Sequence, residues 1–126
     1  MEGKTSPLVL VVDDSNTNVV LLEAILNDKG YEIETALNAK EAFAIMETKV
    51  PDLILLDLLM PKINGYDFLQ QVKGNDRTKD IPVIIVSAVT ESENIRKTID
   101  MGAVDFIKKP IDIQDLIEKV SKTLKI

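Results

Sequence analysis

The feature that most constrains the fold is a regular alternation of short apolar runs with longer amphipathic stretches. Runs such as Leu8–Val12 and Leu53–Leu56 are continuously apolar, which is typical of strands buried on both faces of a parallel sheet. Each run is followed by a stretch whose pattern favours a helix. Five such units in series predict an α/β fold with helices on both faces of a five-stranded parallel sheet. The predicted strands are Leu8–Val12, Glu32–Ala36, Leu53–Leu56, Val83–Val86 and Val104–Lys108.

Capping and stop signals place the helices between these strands. Asn38 with Glu41 three residues later resembles a capping box, and Gly30 and Gly102 are helix stop signals. In the first helix, apolar residues at positions 19, 21, 22, 25 and 26 form the predicted buried arc, and Val20 and Ala24 lie outside it. The predicted helices are Asn16–Asp28, a segment opening at Asn38, Tyr66–Lys73, Glu91–Met101, and a final segment capped by Asp112.

The composition excludes several classes of chemistry. The 126 residues include no cysteine and no histidine, which excludes thiol nucleophiles, zinc–thiolate and iron–sulfur sites, histidine metal sites and imidazole bases. Oxygen ligands, carboxylates, hydroxyls and amines remain. The 15 basic and 21 acidic side chains give a net charge of −6, which disfavours direct binding to nucleic acid.

The chain also lacks the sequence features of a membrane or exported protein. Its longest uninterrupted apolar run, Leu8–Val12, has five residues, whereas a membrane-spanning helix needs about 20. The segment Met1–Lys4 is too short and polar for a signal peptide. We therefore expect a cytoplasmic protein with no membrane partner, folded as a single domain over residues 1–126 with its core at about 7–125.

Polar residues follow four of the five predicted strands, at the point where each strand ends. Asp13 and Asp14 follow the first strand, Asp57 follows the third, Ser87 the fourth and Lys109 the fifth. The second strand delivers no such residue, which suits an outer position and a strand order of 2-1-3-4-5, the flavodoxin-like arrangement. Because ligands bind at the carboxyl ends of parallel strands near the switch point, the three carboxylates are expected to converge there.

Converging carboxylates repel one another, so the cluster calls for a cation. Mg²⁺ prefers oxygen ligands and is commonly held by one or two carboxylates together with a substrate phosphate. With an ammonium group from Lys109 and a hydroxyl from Ser87, this set is typical of a phosphoryl-transfer site. Asp57, in the central position, is the candidate nucleophile.

The ordered set of motifs resembles a response regulator receiver domain, of the kind found in chemotaxis regulators and other two-component signalling systems. The resemblance covers about residues 7–125. The segments that carry it are Val11–Asp14, Leu55–Pro61 with Gly65, Val86–Ala88, Gly102–Ala103 and Phe106–Pro110.

The resemblance implies a phosphoacceptor signalling module, which catalyses its own phosphorylation and dephosphorylation but is not an enzyme in the usual sense. Asp57 would accept a phosphoryl group from a histidine kinase or phosphotransfer protein. The surface near helix 4, strand 5 and helix 5 would then control a partner or an output domain. The implied roles are Mg²⁺ binding by Asp13, Asp14, Asp57 and the backbone carbonyl of Leu59, contact with phosphoryl oxygens by Lys109, and switching by Ser87 and Phe106.

Two further expectations concern the edges of this site. Val20 and Ala24 flank its predicted mouth, so we expect them to contact the protein that donates the phosphoryl group. Leu59 and Val89 are apolar at positions that help set the phosphoryl lifetime in this family, so slow loss of the phosphoryl group is expected. Phe106 lacks the hydroxyl that many members have, which removes a readout based on a tyrosine hydrogen bond.

Other function classes remain open at this stage. An aspartyl-phosphate hydrolase of the haloacid-dehalogenase type would need a second aspartate where this chain has Leu59. A nucleotide- or flavin-binding module would need a phosphate loop after the first strand, but Asp13–Asn18 has no glycine and two carboxylates. A degenerate receiver could serve only as a scaffold. We expect no output domain within these residues, and both a stand-alone protein and a receiver cut from a larger regulator fit the sequence.

Overall fold

Five parallel strands form one sheet and present their carboxyl ends at one edge. The computed structural model describes residues 6–58, 65–88 and 92–124. The strand order is β2-β1-β3-β4-β5, as the sequence predicts, and every neighbouring pair is parallel. The strands are β1 (Leu8–Val12), β2 (Glu32–Ala36), β3 (Leu53–Leu56), β4 (Val83–Ser87) and β5 (Asp105–Lys108).

Helices follow the strands and complete the five β-α units. They are α1 (Asn16–Asp28), α2 (Ala39–Thr48), α3 (Gly65–Lys73), α4 (Ser92–Asp100) and α5 (Ile113–Leu124). The ends of several elements differ from the sequence prediction by one residue, as is usual where terminal hydrogen bonds are marginal. Glu91, the predicted start of the fourth helix, lies outside the described residues. Among the residues that the structure describes, none of the helices has the length and apolar character needed to cross a membrane.

The three inner strands, β1, β3 and β4, are buried on both faces, and their alternate residues enter two separate cores. Leu10 and Val12 of β1 pack in the core that contains Met46 of α2 and Phe68 of α3. Val9 and Val11 pack on the opposite face, in the core that contains side chains of α1 and α5 such as Leu22 and Leu116. This division follows from the two-residue period of a strand, which sends successive side chains to opposite faces.

One expectation for α1 is wrong. Val19, Leu22 and Leu26 are buried, but Leu21 is 42% exposed rather than part of the buried arc. At about 100° per residue, Leu21 lies about 200° around the helix from Val19, on the side away from the sheet. Val20 is 63% exposed and Ala24 is exposed, as expected. The solvent face of α1 is therefore more apolar than the residue pattern predicts.

The predicted helix caps form, with one difference in geometry. Asn38 Oδ1 accepts a hydrogen bond from Glu41 N at 2.8 Å, and Asp112 Oδ1 accepts one from Asp115 N at 3.1 Å. The Glu41 carboxylate reaches one residue beyond the usual capping-box partner, accepting from Leu37 N at 2.9 Å. A cap that was not predicted begins α1, where Ser15 Oγ accepts from Asn18 N at 3.4 Å.

Candidate phosphoryl-transfer and metal site

Three carboxylates meet at the carboxyl edge of the sheet, where the sequence predicts them. Asp13 follows β1 and Asp57 follows β3, and the pairing of Val12 with Leu56 brings the two aspartates side by side. They are 2% and 5% exposed, respectively, whereas Asp14 is exposed. One carboxylate oxygen from each of the three residues lies within 4.8 Å of the other two. The position is the switch point of the sheet, because β2 and β3 lie on opposite sides of β1.

Lys109 supplies a positive charge to this cluster. Its Nζ lies 3.1 Å from Asp13 Oδ2 and 3.3 Å from Asp57 Oδ2, and the side chain is 17% exposed. Its backbone N donates to Ser87 O at 3.0 Å, and the Lys109–Pro110 peptide bond is cis. Lys108, the neighbouring basic residue, is exposed. The lysine that reaches the carboxylates is therefore the one directly before the proline.

The cluster carries more negative than positive charge. When all four groups are ionised, three carboxylates and one ammonium group sum to a formal charge of −2. Burial raises the pKa of Asp13, and the nearby Asp57 charge adds to this effect. Hydrogen bonds from Ser15 N, at 2.9 Å from Asp13 Oδ1, and from Lys109 partly offset it. A cation would relieve the same cost, because it favours the charged form of each carboxylate.

These observations fit a hard divalent cation. The donor set consists of carboxylate oxygens, and one of the three groups is open to solvent, which leaves room for water ligands. Mg²⁺ retains several waters and takes only one or two protein carboxylates in typical phosphoryl-transfer sites. Leu59, expected to add a backbone carbonyl, lies outside the described residues, as does Val89.

The two predicted switch residues lie on neighbouring strands. Ser87 is the last residue of β4 and is fully buried. Phe106 lies on β5 opposite Ile85 and is partly buried against the core that contains Phe68. Val20 and Ala24 lie on the exposed face of α1, the helix that follows Asp13 and Asp14. The structure brings Asp13, Asp14, Asp57 and Lys109 into one cluster and places Ser87 at the end of the strand beside Asp57.

Two features of the site were missed from sequence. The hydrogen bond from Ser15 N holds one oxygen of Asp13, and the Asp-x-Ser spacing is a local signal that could have revealed it. Gly65 N donates to Leu58 O at 3.2 Å, which brings the start of α3 against the residue after Asp57. No local pattern indicates that second contact, because it joins two separate elements.

Comparisons with known proteins agree with this geometry. The model of the family described as "Response regulator receiver domain" matches residues 9–121. The response regulator PleD of Caulobacter vibrioides is 38% identical over 115 residues, covering 91% of this chain and 25% of that protein. The phosphate regulon regulator PhoB of Pseudomonas aeruginosa is 34% identical over 125 residues, covering 99% of this chain and 53% of that protein. The chain thus spans a quarter to about half the length of these curated relatives.

Solved structures show the same likeness in three dimensions. The chemotaxis response regulator CheY4 of Vibrio cholerae has a TM-score of 0.87 and 29% identity, covering 94% of this chain and 99% of that one. A CheY-like receiver domain protein of Methanospirillum hungatei has a TM-score of 0.88 and 29% identity, covering 96% and 95%. With a carboxylate cluster and a lysine at the switch point of the same sheet, this chain belongs to the response regulator receiver domain family of two-component signalling.

Proposed function

We propose that the chain accepts a phosphoryl group on Asp57 from a histidine kinase or phosphotransfer protein, with Mg²⁺, in the cytoplasm. The observation that carries the proposal is the arrangement around Asp57. Its carboxylate lies 3.3 Å from Lys109 Nζ and within reach of the Asp13 and Asp14 carboxylates. A nucleophilic carboxylate with a fixed ammonium group and a candidate metal site suits phosphoryl transfer, where positioning and charge neutralisation dominate.

In the proposed step, an Asp57 carboxylate oxygen forms a bond to phosphorus as the bond from phosphorus to the donor's leaving atom breaks. Lys109, already 3.3 Å from Asp57 Oδ2, contacts the oxygens of the incoming phosphoryl group. Asp13, Asp14, Asp57 and the Leu59 carbonyl would hold Mg²⁺. The chemistry that Mg²⁺ supplies when bound is neutralisation of the phosphoryl oxygens and of the surrounding carboxylates.

We further propose that the signal leaves through the surface formed by α4, β5 and α5, with Ser87 and Phe106 as the switch. The apolar anchoring of α4 is thin over its residues 95–100. Thr98 is buried there, but Ile99 is 44% exposed. Segments with few buried apolar contacts open and shift most readily.

The experiment that tests the function is incubation with acetyl phosphate and Mg²⁺, followed by intact-protein and peptide mass spectrometry. We expect one phosphoryl group per chain, on the peptide that contains Asp57, and little labelling when the metal is chelated. Absence of labelling under conditions that label another receiver would favour the scaffold alternative. Steady release of phosphate from phosphate esters would favour the hydrolase alternative.

Loss of either acidic residue after β1 is expected to weaken Mg²⁺ binding. Asp14→Asn should raise the dissociation constant by about tenfold or more, because hard cations depend on anionic oxygen ligands. We expect Asp14 to bind the metal directly and Asp13 partly through water, so Asp13→Asn should have the smaller effect. Titration of each variant with Mg²⁺, followed by NMR or calorimetry, measures the two dissociation constants.

Asp28→Asn is the matched control, because Asp28 is an exposed acidic residue at the far end of α1. Its affinity for Mg²⁺ should equal that of the wild type. Unchanged affinity in both Asp13→Asn and Asp14→Asn would place the metal site elsewhere.

The exposed face of α1 is expected to dock the phosphodonor protein. Val20→Asp should slow transfer from a histidine kinase that phosphorylates the wild type by about tenfold, because a charge would enter an apolar contact. Phosphorylation by acetyl phosphate, which needs no protein contact, should be unchanged. A time course of phosphorylation with each donor measures the two rates.

Val50→Asp provides the control for this change of residue. Val50 is 55% exposed and lies before β3, at the edge of the sheet away from Asp57. The Val50→Asp substitution should leave the rates of phosphorylation by the kinase and by acetyl phosphate unchanged. Equal slowing with both donors in Val20→Asp would reject the docking role.

A further inference from the structure

Lys119 links the last helix to the backbone of the switch strand. It lies on α5, and its Nζ donates a hydrogen bond to Phe106 O at 2.8 Å. The side chain is mostly covered, with 28% exposed. Two carboxylates flank the ammonium group: Asp115 Oδ2 at 3.2 Å, one turn earlier on α5, and Asp105 Oδ1 at 3.9 Å on β5. The lysine is thus held over the Phe106 carbonyl by charges from both elements.

The backbone of Phe106 is contacted by a side chain a second time. Asp105 Oδ1 accepts a hydrogen bond from Phe106 N at 2.9 Å, so side chains bind both the N–H and the C=O of Phe106. Within the part of the chain that the structure describes, β5 lies at the edge of the sheet and pairs with β4 alone. The bond from Lys119 connects this strand directly to α5. Three residues after Phe106, the same strand leads into Lys109 at the carboxylate site.

We propose that Lys119 is a positioning residue of the phosphorylation switch, which couples movement of Phe106 to α5 through the hydrogen bond to the Phe106 carbonyl. The proposal rests on the proposed function, since it takes Phe106 as the residue that responds to phosphorylation of Asp57. Hydrogen bonds from an ammonium group are stronger than neutral ones, and the flanking carboxylates restrict the ammonium group to this place. A shift of β5 must then either carry α5 with it or break this bond.

A purely structural role leads to a different expectation. Partly exposed ion pairs contribute little to stability, so loss of the Lys119 charge alone should change the melting temperature only slightly. Coupling is a separate quantity, because it is the difference that phosphorylation makes within one variant. Comparing each variant with and without a phosphoryl mimic therefore removes any general effect on stability.

The test measures hydrogen exchange of variants of the 126-residue chain with Mg²⁺, in the presence and absence of beryllofluoride. In the wild type we expect beryllofluoride to change the exchange of peptides covering residues 105–108 and 113–124. In Lys119→Met, which has no donor, the change over 113–124 should fall at least threefold while the change around Asp57 remains. Lys119→Arg, which keeps a charged donor, should restore most of the response.

Lys122→Met is the control, because Lys122 is exposed on the same helix. It should respond like the wild type. Lys119→Leu, which also has no donor, carries the same expectation as Lys119→Met and replaces it should that variant not fold. An α5 response of wild-type size in both donor-removing variants overturns the proposal while leaving the proposed function standing. No response to beryllofluoride in the wild type, at any segment, would overturn the proposed function itself.

Discussion

Asp57→Asn is expected to abolish labelling by acetyl phosphate, with a loss of at least about 100-fold, because the amide oxygen is a far weaker nucleophile than the carboxylate. The fold should survive the change. Asn has nearly the same shape, and removing one of two buried carboxylates that share Lys109 reduces repulsion at the site. Mass spectrometry of the intact variant measures the label, and circular dichroism follows the fold.

Asp28→Asn provides a control of the same charge change and should be labelled like the wild type. Asp14→Asn should be labelled more slowly but still on Asp57, because it retains the acceptor. Labelling of Asp57→Asn at the wild-type rate would show that the acceptor is another carboxylate, and peptide mapping would identify it.

Gly65→Ala is expected to have the largest effect on stability. A Cβ atom at this position would lie 2.5 Å from Leu58 Cα, 2.8 Å from Asp57 O and 3.0 Å from Leu58 O. All three atoms belong to the backbone, so none can rotate away as a side chain could. We expect a loss of about 3 kcal/mol in the free energy of unfolding, as for severe overpacking. For a chain of this size, that corresponds to a fall of roughly 10–15 °C in the melting temperature.

The same substitution should disturb the site, because the clash involves the peptide unit that carries Asp57. Phosphorylation of folded Gly65→Ala should therefore be slower than that of the wild type. Gly74→Ala is the control, since its Cβ would meet Gln70 O at 3.1 Å, a tight contact that a small shift relieves. Calorimetry measures the melting temperatures of the two variants. Equal values for Gly65→Ala and Gly74→Ala would contradict the predicted backbone clash at position 65.

The outlines of the fold and of the site could be predicted from local patterns. Continuous apolar runs such as Leu53–Leu56 identify buried strands because a parallel sheet covered by helices has no polar face. The residues that follow those runs, including Asp13 and Asp57, could be assigned to one edge because parallel strands all end on the same side of the sheet. The capping residues Asn38 and Asp112 could also be predicted from the sequence, because their hydrogen bonds span only three positions.

The incorrect predictions concern side-chain orientation, which a short-range sequence pattern does not determine. The apolar character of Leu21 predicts the buried face of α1, but its angle around the helix turns it away from the sheet and leaves it 42% exposed. Glu41 was expected to complete a capping box at Asn38, but its flexible carboxylate reaches Leu37 N. In both cases the residue type was informative, but it did not indicate where the side chain would point.

The sequence by itself determined which residue types stand at the strand ends, and therefore the kind of chemistry available to this chain. Only the tertiary structure decided which of them meet. The Lys109–Asp13 contact joins residues 96 positions apart, and the Lys119 bond to Phe106 joins a helix to a strand that it follows. The close approach of Gly65 to Leu58 likewise depends on how α3 begins against β3. Contacts of this kind depend on distances of a few ångströms between separate elements, which the packing of the two cores sets and no local pattern encodes.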